Sequence, residues 1–169
     1  MSNINTIFLD MDGVLCDFRG ACIERKCIEG TNVEWNVISA EGAKFWESLN
    51  WLPNSEQFFK WIKQLCEQED IELYILSAVN PKYAPAGKIG KINWCVDKLG
   101  IDRHHIIVVN HGYDKRIYSN EHSLLIDDYV KNCEAFKKHI STDGTSGQAV
   151  LFKNPGSARV EIMKLLGMN

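Results

Sequence analysis

The sequence predicts an α/β fold, a Rossmann-like parallel sheet core with a small helical cap insert after the first strand. Three observations carry that prediction. Short apolar runs alternate along the chain with stretches of helical periodicity, the order that builds parallel sheets through right-handed crossovers. Several runs are aliphatic throughout, as strands covered on both faces are. Three of them stop at Asp10, Ser77 and Asp127-Asp128, and ligands of such sheets bind beyond the carboxyl ends of the strands.

The elements follow in order. Ile7-Phe8-Leu9 is a first strand that stops at Asp10. Residues 18–50 break the alternation, contain Trp35, Phe45 and Trp46, and are expected to form the cap insert over the site. Residues 1–17 and 51–169 are then the core. Residues 55–68 place Phe58, Phe59, Trp61, Ile62, Leu65 and Cys66 on one helical stripe, with Ser55 as N-cap. Residues 71–76 are rich in strand formers and end at Ser77. Residues 88–99 form a helix closed by Gly100. Ile106-Ile107-Val108-Val109 is a strand expected to be covered on both faces, and Ser123-Leu124-Leu125-Ile126 another, ending at the two aspartates. A helix over residues 130–139, a strand over 149–152 and a helix over 157–166 complete the chain.

A chain of 169 residues matches one domain, and at this size about 70% of the unfolded surface is buried without staples. No apolar run exceeds four residues, against about 20 for a membrane helix, so no membrane is expected as a partner. The first six residues carry neither the basic nor the apolar stretch of a secretory leader. The 19 basic residues are scattered among 22 acidic ones, with no stripe to hold extended nucleic acid. Small phosphorylated molecules stay open as partners. The six cysteines, Cys16, Cys22, Cys27, Cys66, Cys95 and Cys133, form no C-x-x-C pair and are expected to be reduced packing residues in a cytoplasmic protein. His104, His105, His111, His122 and His139 show no metal-ligand spacing. Oligomeric state is open.

The chemistry sits at the strand ends. In Asp10-Met11-Asp12-Gly13-Val14-Leu15 two acids follow directly on a buried strand. Alone, that pattern is a turn. A second pair, Asp127-Asp128, also ends a buried strand, and gathering such carboxylates is costly unless a cation neutralises them. Magnesium, which takes a few carboxylates together with phosphate oxygens, fits that set.

The Asp10–Leu15 segment resembles the first motif of the haloacid dehalogenase-like phosphatase superfamily. Ser77 resembles the second motif, a central lysine the third, and Leu125-Ile126-Asp127-Asp128 the fourth. Within that superfamily the chain is similar to the 5′(3′)-deoxyribonucleotidases and their bacterial and phage relatives, through Asp12-Gly13-Val14-Leu15 with Asp17-Phe18, Phe45-Trp46-Glu47-Ser48-Leu49, Lys91-Ile92-Asn93-Trp94 and Leu124 to Asp128. The resemblance implies Asp10 as nucleophile, forming an aspartyl phosphate. It implies Asp12 as general acid and then general base. Magnesium would be held by Asp10, the backbone carbonyl of Asp12, and Asp128, with Asp127 in support. Ser77 and Ala78 would bind phosphate, together with the third-motif lysine. Lys91 and Lys115 rank nearly level for that role, and Lys88 third. Phe18 and Trp46 would meet the substrate, with Trp35, Phe45 and Trp51 as further aromatic candidates; each is otherwise a packing residue.

The implied activity is magnesium-dependent hydrolysis of small phosphate esters, with (deoxy)nucleoside monophosphates first. The alternatives are a non-nucleotide ester, a mutase, a phosphatase of nucleic-acid ends, or an idle phosphate- or nucleotide-binding module.

Overall fold

The computed structural model describes residues 4–168. Five parallel strands form one sheet in the order β5-β4-β1-β6-β7. They are β1 (Thr6–Leu9), β4 (Glu72–Ala78), β5 (Ile106–Val109), β6 (Ser123–Asp127) and β7 (Gln148–Leu151). A separate two-stranded hairpin joins β2 (Ile28–Glu29) to β3 (Asn32–Val33). The helices are α1 (Phe18–Glu24), α2 (Trp35–Glu41), α3 (Ala43–Glu47), α4 (Ser55–Glu69), α5 (Ala84–Trp94), α6 (Val130–Lys138) and α7 (Pro155–Leu165).

β1 lies in the middle because its three apolar residues are buried on alternating faces. Ile7 and Leu9 join the larger core with Phe58, Ile62 and Ile162, while Phe8 joins Leu76, Leu125 and Phe136 on the other side. Its neighbours are β4 and β6, paired in parallel through Leu9 with Ile75 and Ile126. The carboxyl ends of these three strands therefore emerge together, and with them Asp10, Ser77 and Asp127.

Several expectations are corrected. β5 is an edge strand, and only Ile106 of its four residues is buried. Ser55 is not an N-cap: Asn54 holds that position in the left-handed region, and the buried Ser55 hydroxyl donates to the carbonyl of Val14 at 2.6 Å. That bond fastens α4 to the loop after β1. The helix expected from Lys88 begins four residues earlier, and its last turn, Cys95–Leu99, is a π-turn ending at Gly100 with φ of 61°. The segment 18–50 is not wholly helical, since it contains the hairpin. Its ends are held side by side, with Asp17 N donating to Asn50 O at 2.8 Å and Leu52 N to Leu15 O at 2.9 Å. The Asp17 carboxylate caps α1 by accepting from Gly20 N at 2.7 Å.

All six cysteines are buried free thiols. No helix among the described residues is long and apolar enough to cross a membrane.

Candidate active site

Asp10 follows β1 directly and is 5% exposed. Its Oδ1 accepts from Met11 N at 2.8 Å and lies 2.8 Å from Lys115 Nζ. Lys115 comes from a 3₁₀ turn, Gly112–Tyr118, and is itself 1% exposed. Its ammonium also donates to Asp127 Oδ2 at 2.6 Å. The remaining lone pairs of Asp127 are taken by Tyr129 N at 2.8 Å and by Asn132 Nδ2 at 3.2 and 3.1 Å. Asp127 is thus a fully engaged buried anion, while Asp128, the next residue, is exposed at the mouth.

Carboxylate oxygens of Asp10, Asp127 and Asp128 lie within 4.8 Å of one another. Gly13 lets Asp128 come that close. It has φ of 75°, and a Cβ built there would stand 2.0 Å from Asp128 Oδ2. Three carboxylates share one ammonium, so the charge is unbalanced. Burial, followed by the charges of Asp127 and Asp12, pushes the Asp10 carboxyl up to about 8, although Lys115 pulls the other way. Asp128 is exposed as a residue, but its carboxyl group is tucked against Gly13, and that partial loss of solvent, followed by the Asp127 charge, raises it to about 6. For Lys115, burial opposes the charge, but Asp10 and Asp127 outweigh it and hold the ammonium above its ordinary value. The donor set would fit a divalent cation, whose charge would balance these carboxylates.

The Asp12 carboxylate does not belong to that group. It faces Lys91, which is 1% exposed and bonds to Asp12 Oδ2, to Ser77 Oγ at 2.9 Å and to Ala78 O at 2.6 Å. Those three acceptors use every hydrogen of the ammonium. The Trp46 ring lies over the same Nζ, 4.6 Å from its centroid. On the other side of Asp12, Cys16 Sγ donates to Oδ1 at 3.4 Å. Burial, then the Asp12 charge, raises the Cys16 thiol well above its ordinary value, so it stays a neutral packing group.

Both leading lysine candidates therefore reach the strand ends. Lys115 pairs with Asp10 and Asp127, and Lys91 bonds to Asp12, Ser77 and Ala78. Lys88 is half-buried and makes no ion pair among the described residues. Lys91 reaches the site because α5 crosses α3 closely. A Cβ on Gly90 would stand 2.4 Å from Ala43 O and 2.7 Å from Trp46 Cβ.

Beside Asp12 lies a cavity of about 200 Å³, bounded by Phe18, Trp35 and Trp46 from the segment 18–50 and by Ala78, Val79 and Asn80 at the end of β4. Phe18 stacks on Trp46 with centroids 5.4 Å apart and planes at 15°. Phe45 is fully buried behind them. Trp51 lies away from the cavity and packs on Trp94 at 5.2 Å. A larger groove of about 530 Å³ between Trp61 and Met163 contains no acid.

Sequence reasoning missed Asn132 and Asn80. Asn132 could have been found by helical spacing from Asp127, since the first turn of a following helix points back at the strand end.

No protein-family model and no curated protein matches this sequence. Solved structures do resemble it. A haloacid dehalogenase-like family hydrolase from Xanthomonas campestris superposes with a TM-score of 0.53 at 11% identity, covering 98% of this chain and 97% of that one. A haloacid dehalogenase-like family hydrolase from Streptococcus pneumoniae superposes with a TM-score of 0.50 at 14% identity, covering 96% of this chain and 100% of that one. The fold is that of haloacid dehalogenase-like hydrolases.

Proposed function

We propose that this protein is a magnesium-dependent phosphomonoesterase that works through an aspartyl phosphate on small phosphorylated metabolites, with (deoxy)nucleoside monophosphates first among them. One observation carries the proposal. Asp10 and Asp12 stand two residues apart at the end of the central strand, each bound to its own buried lysine, and Asp127 and Asp128 join Asp10 in a group of three carboxylates.

The Asp10 carboxylate attacks phosphorus in line with the ester oxygen. The phosphorus–oxygen bond to the leaving alcohol breaks, and Asp12 supplies the proton that alcohol needs. Asp12 then takes a proton from water as the water attacks phosphorus, which releases phosphate and restores Asp10. The Ser77 hydroxyl, which accepts from Lys91 and keeps its own hydrogen, would donate to a phosphoryl oxygen, and the charge of Lys91, its hydrogens held by Asp12, Ser77 and Ala78, would balance the transferring group from behind them. Asp10, Asp128 and the backbone carbonyl of Asp12 would hold magnesium, and Asp127, with its own oxygens occupied by Lys115, Tyr129 and Asn132, would fix their arrangement. When bound, magnesium offsets the repulsion between the Asp10 anion and the phosphate dianion.

The test is phosphate release from a panel of nucleoside and deoxynucleoside monophosphates, sugar phosphates and p-nitrophenyl phosphate, with magnesium, with chelator, and with Asp10→Asn. Release from deoxynucleotides well above the rest, dependent on magnesium and Asp10, supports the proposal. Release from p-nitrophenyl phosphate alone removes the nucleotide substrate. No release, with phosphate and magnesium still binding, leaves an idle binding module.

A further inference from the structure

Lys91 stands behind two other side chains of the site. Asp12, Ser77 Oγ and Ala78 O take all three hydrogens of its ammonium. None is left for a phosphoryl oxygen, so Lys91 contributes charge alone. A charge that acts at a distance depends on the medium around it, and the same charge is several-fold stronger in a dry setting than in water.

Trp46 supplies that setting. Its ring lies over Lys91 Nζ, 4.6 Å from the centroid, and Lys91 is fully buried. The ring is itself held from several sides. Phe18 stacks on it, and Phe45 meets it edge-on with centroids 5.1 Å apart and planes at 85°. Two glycines of α5, the helix that carries Lys91, press against it. A Cβ on Gly87 would stand 3.2 Å from Trp46 Nε1, and one on Gly90 2.7 Å from Trp46 Cβ. Trp46 is therefore only 4% exposed, while Phe18 and Trp35, which bound the same cavity, are half-buried. Of the three rings, Trp46 offers a ligand the least surface.

We propose that Trp46 is a positioning residue for Lys91 and not a surface for the leaving group. The proposal rests on the phosphomonoesterase reading above and deepens it. The aromatic face attracts the ammonium. It seats Nζ where Asp12, Ser77 and Ala78 can all accept from it, and it keeps water away. Without the ring, water enters beside Nζ and the ammonium loosens. The transferring phosphoryl group then meets a weaker charge, whatever alcohol or acid leaves.

The test compares two substrates that share the phosphoryl group and differ in what leaves. They are p-nitrophenyl phosphate, which releases a ring, and acetyl phosphate, which releases none. With magnesium, Trp46→Leu is expected to lower kcat about tenfold on both, the scale of a desolvated cation–π contact. KM should change less than about twofold, as when an interaction specific to the transition state is removed. Trp46→Phe returns an aromatic face and is expected to recover kcat to within about threefold of wild type. A loss confined to p-nitrophenyl phosphate and carried by KM makes Trp46 a leaving-group contact and overturns the proposal. Equal losses in Trp46→Leu and Trp46→Phe overturn it too. A second readout needs no turnover. Urea unfolding in chelator compares Trp46→Leu, Lys91→Met and the double variant. The double variant is expected to lose less than the two single losses added, because one contact can be lost only once. Additive losses overturn the proposal. Trp46→Met, whose flexible side chain fills irregular gaps, stands in if Trp46→Leu does not fold. If no ester is hydrolysed and the coupling is still found, the enzymatic reading fails and the seating of Lys91 by Trp46 stands.

Discussion

Lys115 and Lys91 are buried to the same degree but in different company, so their removal has different consequences. Lys115 stands between Asp10 and Asp127, whose side chains are 8% and 0% exposed. In Lys115→Met two buried carboxylates face each other without a counter-charge. Removing one partner of a buried pair costs about 3–5 kcal/mol. Lys91 faces Asp12, which is 28% exposed, and water can replace the lost ammonium there. Lys91→Met should cost about 1–2 kcal/mol, the scale of lost hydrogen bonds. Urea unfolding in chelator should rank Lys115→Met well below Lys91→Met in stability, and equal losses would contradict this division of roles. Activity should follow another order, since both variants lose charge next to the reacting group. Asp10→Asn should remove phosphate release altogether while leaving the fold intact, because an amide keeps the volume of the carboxyl and relieves the crowding of charge.

At the scale of elements, the closest approaches predict the most. Gly13 lets the turn after β1 pass against Asp128, and Gly13→Ala puts a methyl group on a carboxylate oxygen in a left-handed turn. Left-handed backbone costs a non-glycine residue about 1–2 kcal/mol, and Asp128 must move besides. A chelator-buffered titration should find magnesium affinity at least about tenfold weaker, in keeping with lost support for a ligand. Gly90 does the same for two helices. A methyl group there pushes α3 from α5, and overpacking of this kind costs about 1–3 kcal/mol. Because α5 carries Lys91 and α3 carries Trp46, Gly90→Ala should lower activity as well as the urea midpoint. These contacts also mark what the sequence could tell. β1, β4, β5, β6 and β7 were legible because apolar runs of three or four residues between polar stretches have few other uses, and Asp10, Asp12 and Asp127-Asp128 were legible because they stand at the ends of such runs. The hairpin was hidden because each of its strands has two residues, too few for any period. Lys91 and Lys115 could not be ranked because both are buried against an aspartate of the turn after β1, in contacts between residues far apart in the chain that no local pattern records.

For the whole molecule, the surplus of negative charge at the strand ends couples stability to pH and to cations. Asp10 is raised to about 8 and Asp128 to about 6 from an ordinary 3.8. Between about pH 4 and pH 8 the metal-free folded state therefore keeps protons that the unfolded chain has already released. Stability is the unfolded state's loss where the folded state binds more protons, so this contribution is complete below pH 4 and fades as pH rises through 6 and then 8. The other displaced groups fall outside the window: Asp143 is lowered to about 2, the thiols of Cys22, Cys66, Cys95 and Cys133 are raised to about 12, and Cys16, Lys115 and Arg25 are raised from ordinary values already above it. A bound divalent cation needs those same carboxylates ionised, and a ligand that binds only the folded state stabilises it in proportion to the logarithm of its excess over Kd. The melting temperature in chelator should fall from about pH 5 to about pH 8. Millimolar magnesium should recover most of that loss at pH 8 and add little at pH 5, where protons already fill the site. Asp10→Asn should flatten the chelator curve and shrink the magnesium effect together, because one carboxyl group is responsible for most of both. A magnesium shift of the same size at both pH values, or one that survives Asp10→Asn undiminished, would place cation binding elsewhere on the chain.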